Sequence, residues 1–111
     1  MREAAPGIPL RAHFHNTRNT GYANAITAAG LGFAALDASL GGIGGCPFAP
    51  AATGNIATED LAYLLNRSGL ATGVAIEPAA AAGAWIGGEL GLPIVPAQLG
   101  RAGDFPGDLA K

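Results

Sequence analysis

The chain has 111 residues, room for one modest core and well short of the ~250 that a closed (β/α)8 barrel normally takes. Half of the residues are apolar, but 18 Gly and 8 Pro against four Phe, two Tyr and one Trp leave small side chains for burial, which favours close backbone approach over bulky interdigitation. A charged fraction of 13%, a formal net charge of −2 and a pI near 5.5 exclude nucleic-acid binding as a main role; with one cysteine, no signal core and no apolar run of ~20 residues, a soluble, reducing, cytoplasmic setting away from membranes is expected.

Pro6-Gly7-Ile8-Pro9 is a turn leading into 10–15, where Leu10, Ala12 and Phe14 alternate with Arg11, His13 and His15, the pattern of a strand with one apolar and one polar face. After the loop 16–19, Tyr22, Ala25, Ile26 and Ala29 recur at helical spacing, and Gly30 and Gly32 supply the stop. A second strand fits 33–39. It ends in Gly41-Gly42-Ile43-Gly44-Gly45-Cys46-Pro47, too rich in glycine for regular structure and expected to form a mobile loop. Residues 52–56 fit a brief third strand. Thr58 is the expected N-cap of a helix whose Leu61, Leu64 and Leu65 face one way, with Glu59 and Asp60 in its first turn and Gly69 closing it.

Glu77-Pro78 opens an Ala-rich helix carrying Trp85, Ile86 and Leu90; Gly83, Gly87 and Gly88 each cost it about 1 kcal/mol relative to Ala, so it needs tertiary support. The tail from Pro93 reads as irregular or frayed. The motif-bearing βα units thus occupy 6–69, a helical region 70–92 and an irregular tail 93–111. This order is that of consecutive βα units with parallel strands, either a small open α/β sheet or a piece of something larger.

The period of two in a strand puts His13 and His15 on one face, roughly 6.5–7 Å apart along the backbone, so both imidazoles can converge on one ion. Histidines two apart also occur by chance as solvent-facing residues, but these lie at the C-terminal end of a parallel strand, where α/β sheets place their sites. Cys46, on a loop free of bulky neighbours, can serve as proton donor or nucleophile; a lone cysteine is also commonly an inert, buried small hydrophobe. Asn55 follows a glycine and suits a turn, while its carbonyl oxygen is of the type that completes an oxygen-and-imidazole metal shell. The glycine run matches neither the dinucleotide fingerprint nor a phosphate-binding loop. No Gly-x-Ser-x-Gly elbow or Cys-x-x-Cys pair occurs.

Together, His13-Phe14-His15-Asn16-Thr17-Arg18, Asp37-Ala38-Ser39-Leu40-Gly41-Gly42-Ile43-Gly44-Gly45-Cys46-Pro47 and Gly54-Asn55-Ile56-Ala57-Thr58-Glu59-Asp60-Leu61 resemble the C-terminal part of the 3-hydroxy-3-methylglutaryl-CoA lyase family, with the motifs in the family's order from about Pro6 to Gly69. The Gly-Gly-Cys-Pro loop separates this family from the isopropylmalate and homocitrate synthases, which share the His-x-His strand. The resemblance implies an α/β fold, a partial (β/α)8 TIM barrel comprising roughly its last three βα units plus a C-terminal helix. It implies a divalent cofactor, Mg²⁺ or Mn²⁺, held by His13, His15 and Asn55 with an Asp from the family's N-terminal strand, and an acyl-CoA substrate with a tertiary 3-hydroxyl.

Retro-Claisen cleavage to acetyl-CoA and acetoacetate, with Cys46 as catalytic acid/base, is the implied reaction. Where many members have Asp after the second His, this chain has Asn16, which is expected to remove a carboxylate from the metal's neighbourhood. No segment matches the family's N-terminal Arg, Asp and Glu, so the 111 residues alone are expected to be poorly active. The family's full-length form is expected to be a homo-oligomer, or a complementing chain is expected to supply the missing part of the barrel. Two other readings are a fragment of a metal-dependent hydrolase barrel, which gives Cys46 no task, and a non-catalytic remnant that depends on a partner.

Overall fold

The computed structural model describes residues 3–4, 6–45 and 53–101. The alternating run 10–15 yields a short strand, β1 (Arg11–His13), and the run 33–39 yields β2 (Ala35–Asp37). They pair in parallel, with Arg11 opposite Ala35, Ala12 opposite Leu36 and His13 opposite Asp37. Three helices accompany them: α1 (Gly21–Gly30), α2 (Thr58–Arg67) and α3 (Ile76–Glu89). Among the described residues this is an α/β unit of two parallel strands and three helices. None of the helices is long and apolar enough to cross a membrane.

The period of two sorts the two faces of the sheet. Ala12 is buried, and Phe14, Leu36 and Ala38 pack on the core; Arg11 and His13 stay exposed on the other face. The core joins Ala25 of α1 to Leu61 and Leu65 of α2 around Ile56, which is fully buried. Tyr22 and Ile26, one helical turn apart, flank it as their spacing predicts.

The expected third strand is shorter than the 52–56 run, and its first residue lies outside the described ones. Residues 54–58 wedge between the ends of β1 and β2 and bond to both. The Asn16 and Ile56 amides donate to Gly54 O and Phe14 O at 3.1 and 3.4 Å, and the Ser39 and Thr58 amides to Ile56 O and Ser39 O at 3.0 and 2.9 Å. A segment shared between two partners makes isolated bridges, His15 with Asn55 and Ser39 with Ala57, rather than a ladder. Because the Thr58 amide is taken by Ser39, α2 is capped by Ala57 without a side-chain bond, and Thr58 is its first residue rather than its cap.

Tyr22 locks α1 to this wedge. Its hydroxyl accepts from the Ala57 amide at 2.8 Å and donates to Asp60 at 3.4 Å, and burial pushes its pKa up to about 12. The unfolded chain loses the phenolic proton near the ordinary value of 10.0 while the fold retains it, so this stabilisation is complete below that pH and drains away as pH rises to about 12. Tyr22→Phe is expected to abolish that slope and to cost about 1–3 kcal/mol at neutral pH, because the Ala57 amide loses its acceptor. Urea midpoints of both proteins at about pH 8 and about pH 11 check this.

The glycines of α3 have a physical use that offsets their cost. A Cβ at Gly83 would overlap the Glu59 carboxylate, and one at Gly87 would overlap Val95, so α3 lies closer to its neighbours than Ala would permit. The face of α3 that is buried carries Ile76, Ala79, Gly83 and Gly87; Trp85 stays exposed. Of the tail that starts at Pro93, the part up to 101 is irregular apart from a single turn at Leu99–Arg101 and is tied down, while 102–111 lie outside the described residues. Ala97 is buried and its amide donates to Gly41 O at 3.0 Å, while the Gln98 and Leu99 amides each donate to the Asp60 carboxylate at 2.8 Å.

Candidate functional site

At the C-terminal end of β1, the predicted pair is adjacent: the His13 and His15 rings lie 5.3 Å apart, centroid to centroid, at 60°. His15 Nδ1 is 3.0 Å from Thr53 O. A carbonyl only accepts, so Nδ1 carries the hydrogen and, in the neutral ring, the lone pair is on Nε2. His13 Nδ1 lies 3.4 Å from one oxygen of Asp37, whose other oxygen is held by Arg11 Nε at 2.7 Å. Both rings are thus oriented through Nδ1, the arrangement in which an outer carbonyl or carboxylate directs the opposite nitrogen to an ion.

Asn55 sits beside His15 through their antiparallel bridge. Its Nδ2 donates to Ile43 O at 3.1 Å, which fixes the amide and leaves Oδ1 buried with no hydrogen-bond partner among the described residues. An orphaned buried carbonyl costs about 1–3 kcal/mol, and a cation is one of the few groups that would satisfy it here. Two imidazoles with free Nε2 and one free amide oxygen fit a divalent ion. No three His, Cys, Asp or Glu side chains gather into a metal-holding group among the described residues, so this set brings no anionic ligand of its own.

Cys46 lies outside the described residues, but the loop that leads to it is defined as far as Gly45. The expected mobile stretch begins with a built corner. Leu40–Gly42 forms a single 3-10 turn in which Gly41 and Gly42, at φ 74° and 70°, are buried in the left-handed region that favours glycine. The Gly41 amide donates to both Glu59 oxygens, at 2.9 and 3.1 Å. Glu59 is 1% exposed; burial pushes its carboxyl above the usual range, and the Gly41 bond opposes that shift.

Sequence reasoning placed Glu59 only in the first turn of α2. The overlooked signal is that it stands three residues before Ala62, on the flank of the buried stripe. Asn16 has a local task that its sequence position does not announce: its side-chain oxygen accepts from the Gly21 amide at 3.2 Å and serves the start of α1. A cleft of about 500 Å³ between α1, α2 and the helix-side face of β2 carries no ionisable side chain and is separate from the histidines.

Histidines on a strand end, the Asn55 amide from the adjoining segment and a glycine corner define the candidate site at the C-terminal end of a parallel βα unit. The chain belongs to the HMGL-like family, whose sequence model matches residues 1–86. It is 53% identical over 98 residues to the (R)-citramalyl-CoA lyase of Chloroflexus aurantiacus, a match covering 88% of this chain and 31% of that protein. With the hydroxymethylglutaryl-CoA lyase of Bacillus subtilis it shares 43% identity over 94 residues, covering 85% and 31%. It superposes on the HMG-CoA lyase of Acinetobacter baumannii, solved with coenzyme A and 3-methylmalate, with a TM-score of 0.80 at 41% identity, covering 88% of this chain and 32% of that one. The chain spans about a third of the length of these relatives.

Proposed function

We propose that the chain is the C-terminal portion of a (β/α)8-barrel lyase that cleaves an acyl-CoA bearing a tertiary 3-hydroxyl into acetyl-CoA and an oxo acid, acetoacetate when the substrate is 3-hydroxy-3-methylglutaryl-CoA. What supports this reading is the adjacency of the His13 and His15 rings, with Asn55 bridged to His15 through the backbone and its Oδ1 orphaned, in a chain whose relatives are named as acyl-CoA lyases. His13, His15 and Asn55 would hold Mg²⁺ or Mn²⁺, with a carboxylate from outside this chain. The bound ion would polarise the substrate's hydroxyl and a neighbouring oxygen.

Transfer of the hydroxyl proton to a base supplied, like the ion's carboxylate, from outside this chain allows the C2–C3 bond to break: the oxygen becomes the carbonyl of the leaving oxo acid and the electron pair stays on C2 as the enolate of acetyl-CoA. In this reading the Cys46 thiol donates its proton to that carbon, and the glycine loop shields the enolate from water. Asp37 and Thr53 O keep the two imidazoles aimed, and Ile43 O keeps the Asn55 amide turned.

The test joins residues 1–111 to the N-terminal two-thirds of the Chloroflexus relative and assays acetyl-CoA release from citramalyl-CoA and 3-hydroxy-3-methylglutaryl-CoA with Mg²⁺ or Mn²⁺. The joined enzyme is expected to turn over at least one substrate, and the 111 residues alone to stay at background. A folded, metal-loaded chimera inert to both would overturn the lyase reading; turnover by the 111 residues alone would overturn the need for the rest of a barrel.

A further inference from the structure

We infer that Glu59 is the positioning residue of the glycine-rich loop, tethering its corner at Gly41 so that the backbone of 41–45 and the orientation of Asn55 are set together; this rests on the lyase reading above. Three elements meet at its carboxylate. From α2, Glu59 reaches under the loop and accepts the Gly41 amide with both oxygens, in a position 1% exposed. From the opposite side α3 supplies Gly83, where a Cβ would overlap that carboxylate and stand 2.9 Å from the Gly41 nitrogen. The space is therefore kept free by a glycine, and the corner it holds has a backbone conformation that suits glycine.

Immediately past the corner, the loop reaches the site. Ile43 O takes the Asn55 amide hydrogen at 3.1 Å, and a Cβ on Gly44 would stand 2.9 Å from Asn55 Nδ2, so the loop backbone touches the proposed ligand directly. Cys46 comes two residues after Gly44 in the sequence. A displaced Gly41 thus shifts the Ile43 carbonyl that supports the proposed ligand Asn55. A carboxylate buried against backbone amides is costly to keep, so its presence calls for a role that a smaller apolar side chain would not fill.

The experiment compares Glu59→Ala, Glu59→Gln and a core control, Leu65→Ala, in the chimeric enzyme, reading kcat, KM, Mn²⁺ affinity and amide exchange of 41–45. Glu59→Ala is expected to lower kcat by about 10- to 100-fold with KM little changed, and to speed exchange in 41–45. Glu59→Gln, whose amide oxygen still accepts from Gly41, is expected to restore most of both. Leu65→Ala is expected to lower the melting temperature without either local effect.

Unchanged exchange in Glu59→Ala would overturn the tether, and a Glu59→Gln enzyme as slow as Glu59→Ala would replace it with a requirement for charge. If the unsubstituted chimera shows no turnover, the lyase reading fails, and the exchange measurements still decide whether Glu59 holds the corner.

Discussion

His13→Ala is expected to strip the site of its ion, whereas Cys46→Ser is expected to leave ion binding intact and remove most turnover. His13 is one of three proposed donors, and its ring is aimed by the Asp37 carboxylate, itself held by Arg11. Removing an outer-shell partner of a ligand already costs about 10–100-fold in affinity, so removing the ligand itself should cost at least as much. Cys46 belongs to a different step. A hydroxyl is a far weaker acid than a thiol, so the serine variant should lose about 10²–10⁴-fold in kcat, the range supplied by a positioned proton donor. Mn²⁺ titration and steady-state kinetics of both variants in the chimeric enzyme separate the two roles. Equal ion loss in both would contradict this division.

Gly54→Ala should be the most damaging small substitution near the site. A Cβ there would overlap Gly44 O and stand 2.6 Å from Gly42 O, and both obstacles are backbone rather than flexible side chain. Either the loop moves out or the wedge at 54–58 moves away from β1, and each route disturbs Asn55. Overpacking of this kind costs about 1–3 kcal/mol, and each kcal/mol lowers the melting temperature of a small domain by roughly 4–8 °C. Weaker Mn²⁺ binding should accompany the loss, because the next residue is the proposed amide ligand. Thermal unfolding with ion titration checks both effects; an unshifted melting temperature would mean that the backbone approach is less tight than described.

The two strands and three helices were legible because their signals are local. A period of two marks 10–15, helical recurrence marks Tyr22 to Ala29, and Leu61 and Leu65 announce the buried stripe of α2. The same periodicity puts His13 and His15 on one face, and the structure brings the rings close. Asn55 was legible only through the motif around it, since its place beside His15 depends on a bridge across forty residues.

Non-local contacts escaped the sequence reading. Asn16 reads in the sequence only as the absence of a carboxylate, whereas its side chain serves the Gly21 amide at the start of α1. Glu59 and Asp60 suggested favourable charges at a helix start, yet each reaches backbone amides distant in the chain. The glycines of α3 read as a penalty because their benefit, proximity to Glu59 and Val95, appears only once the chain is packed.

The bonds from Ala97, Gln98 and Leu99 carry a consequence for biosynthesis. Gly41 O and the Asp60 carboxylate remain without these donors until residues about forty to sixty positions further on have left the ribosome. The histidine strand and its helix can therefore assemble early in translation, while the corner of the loop gains its last support only when synthesis has passed Leu99. During that interval the nascent chain can have its imidazoles side by side while the loop corner still lacks the bond from Ala97.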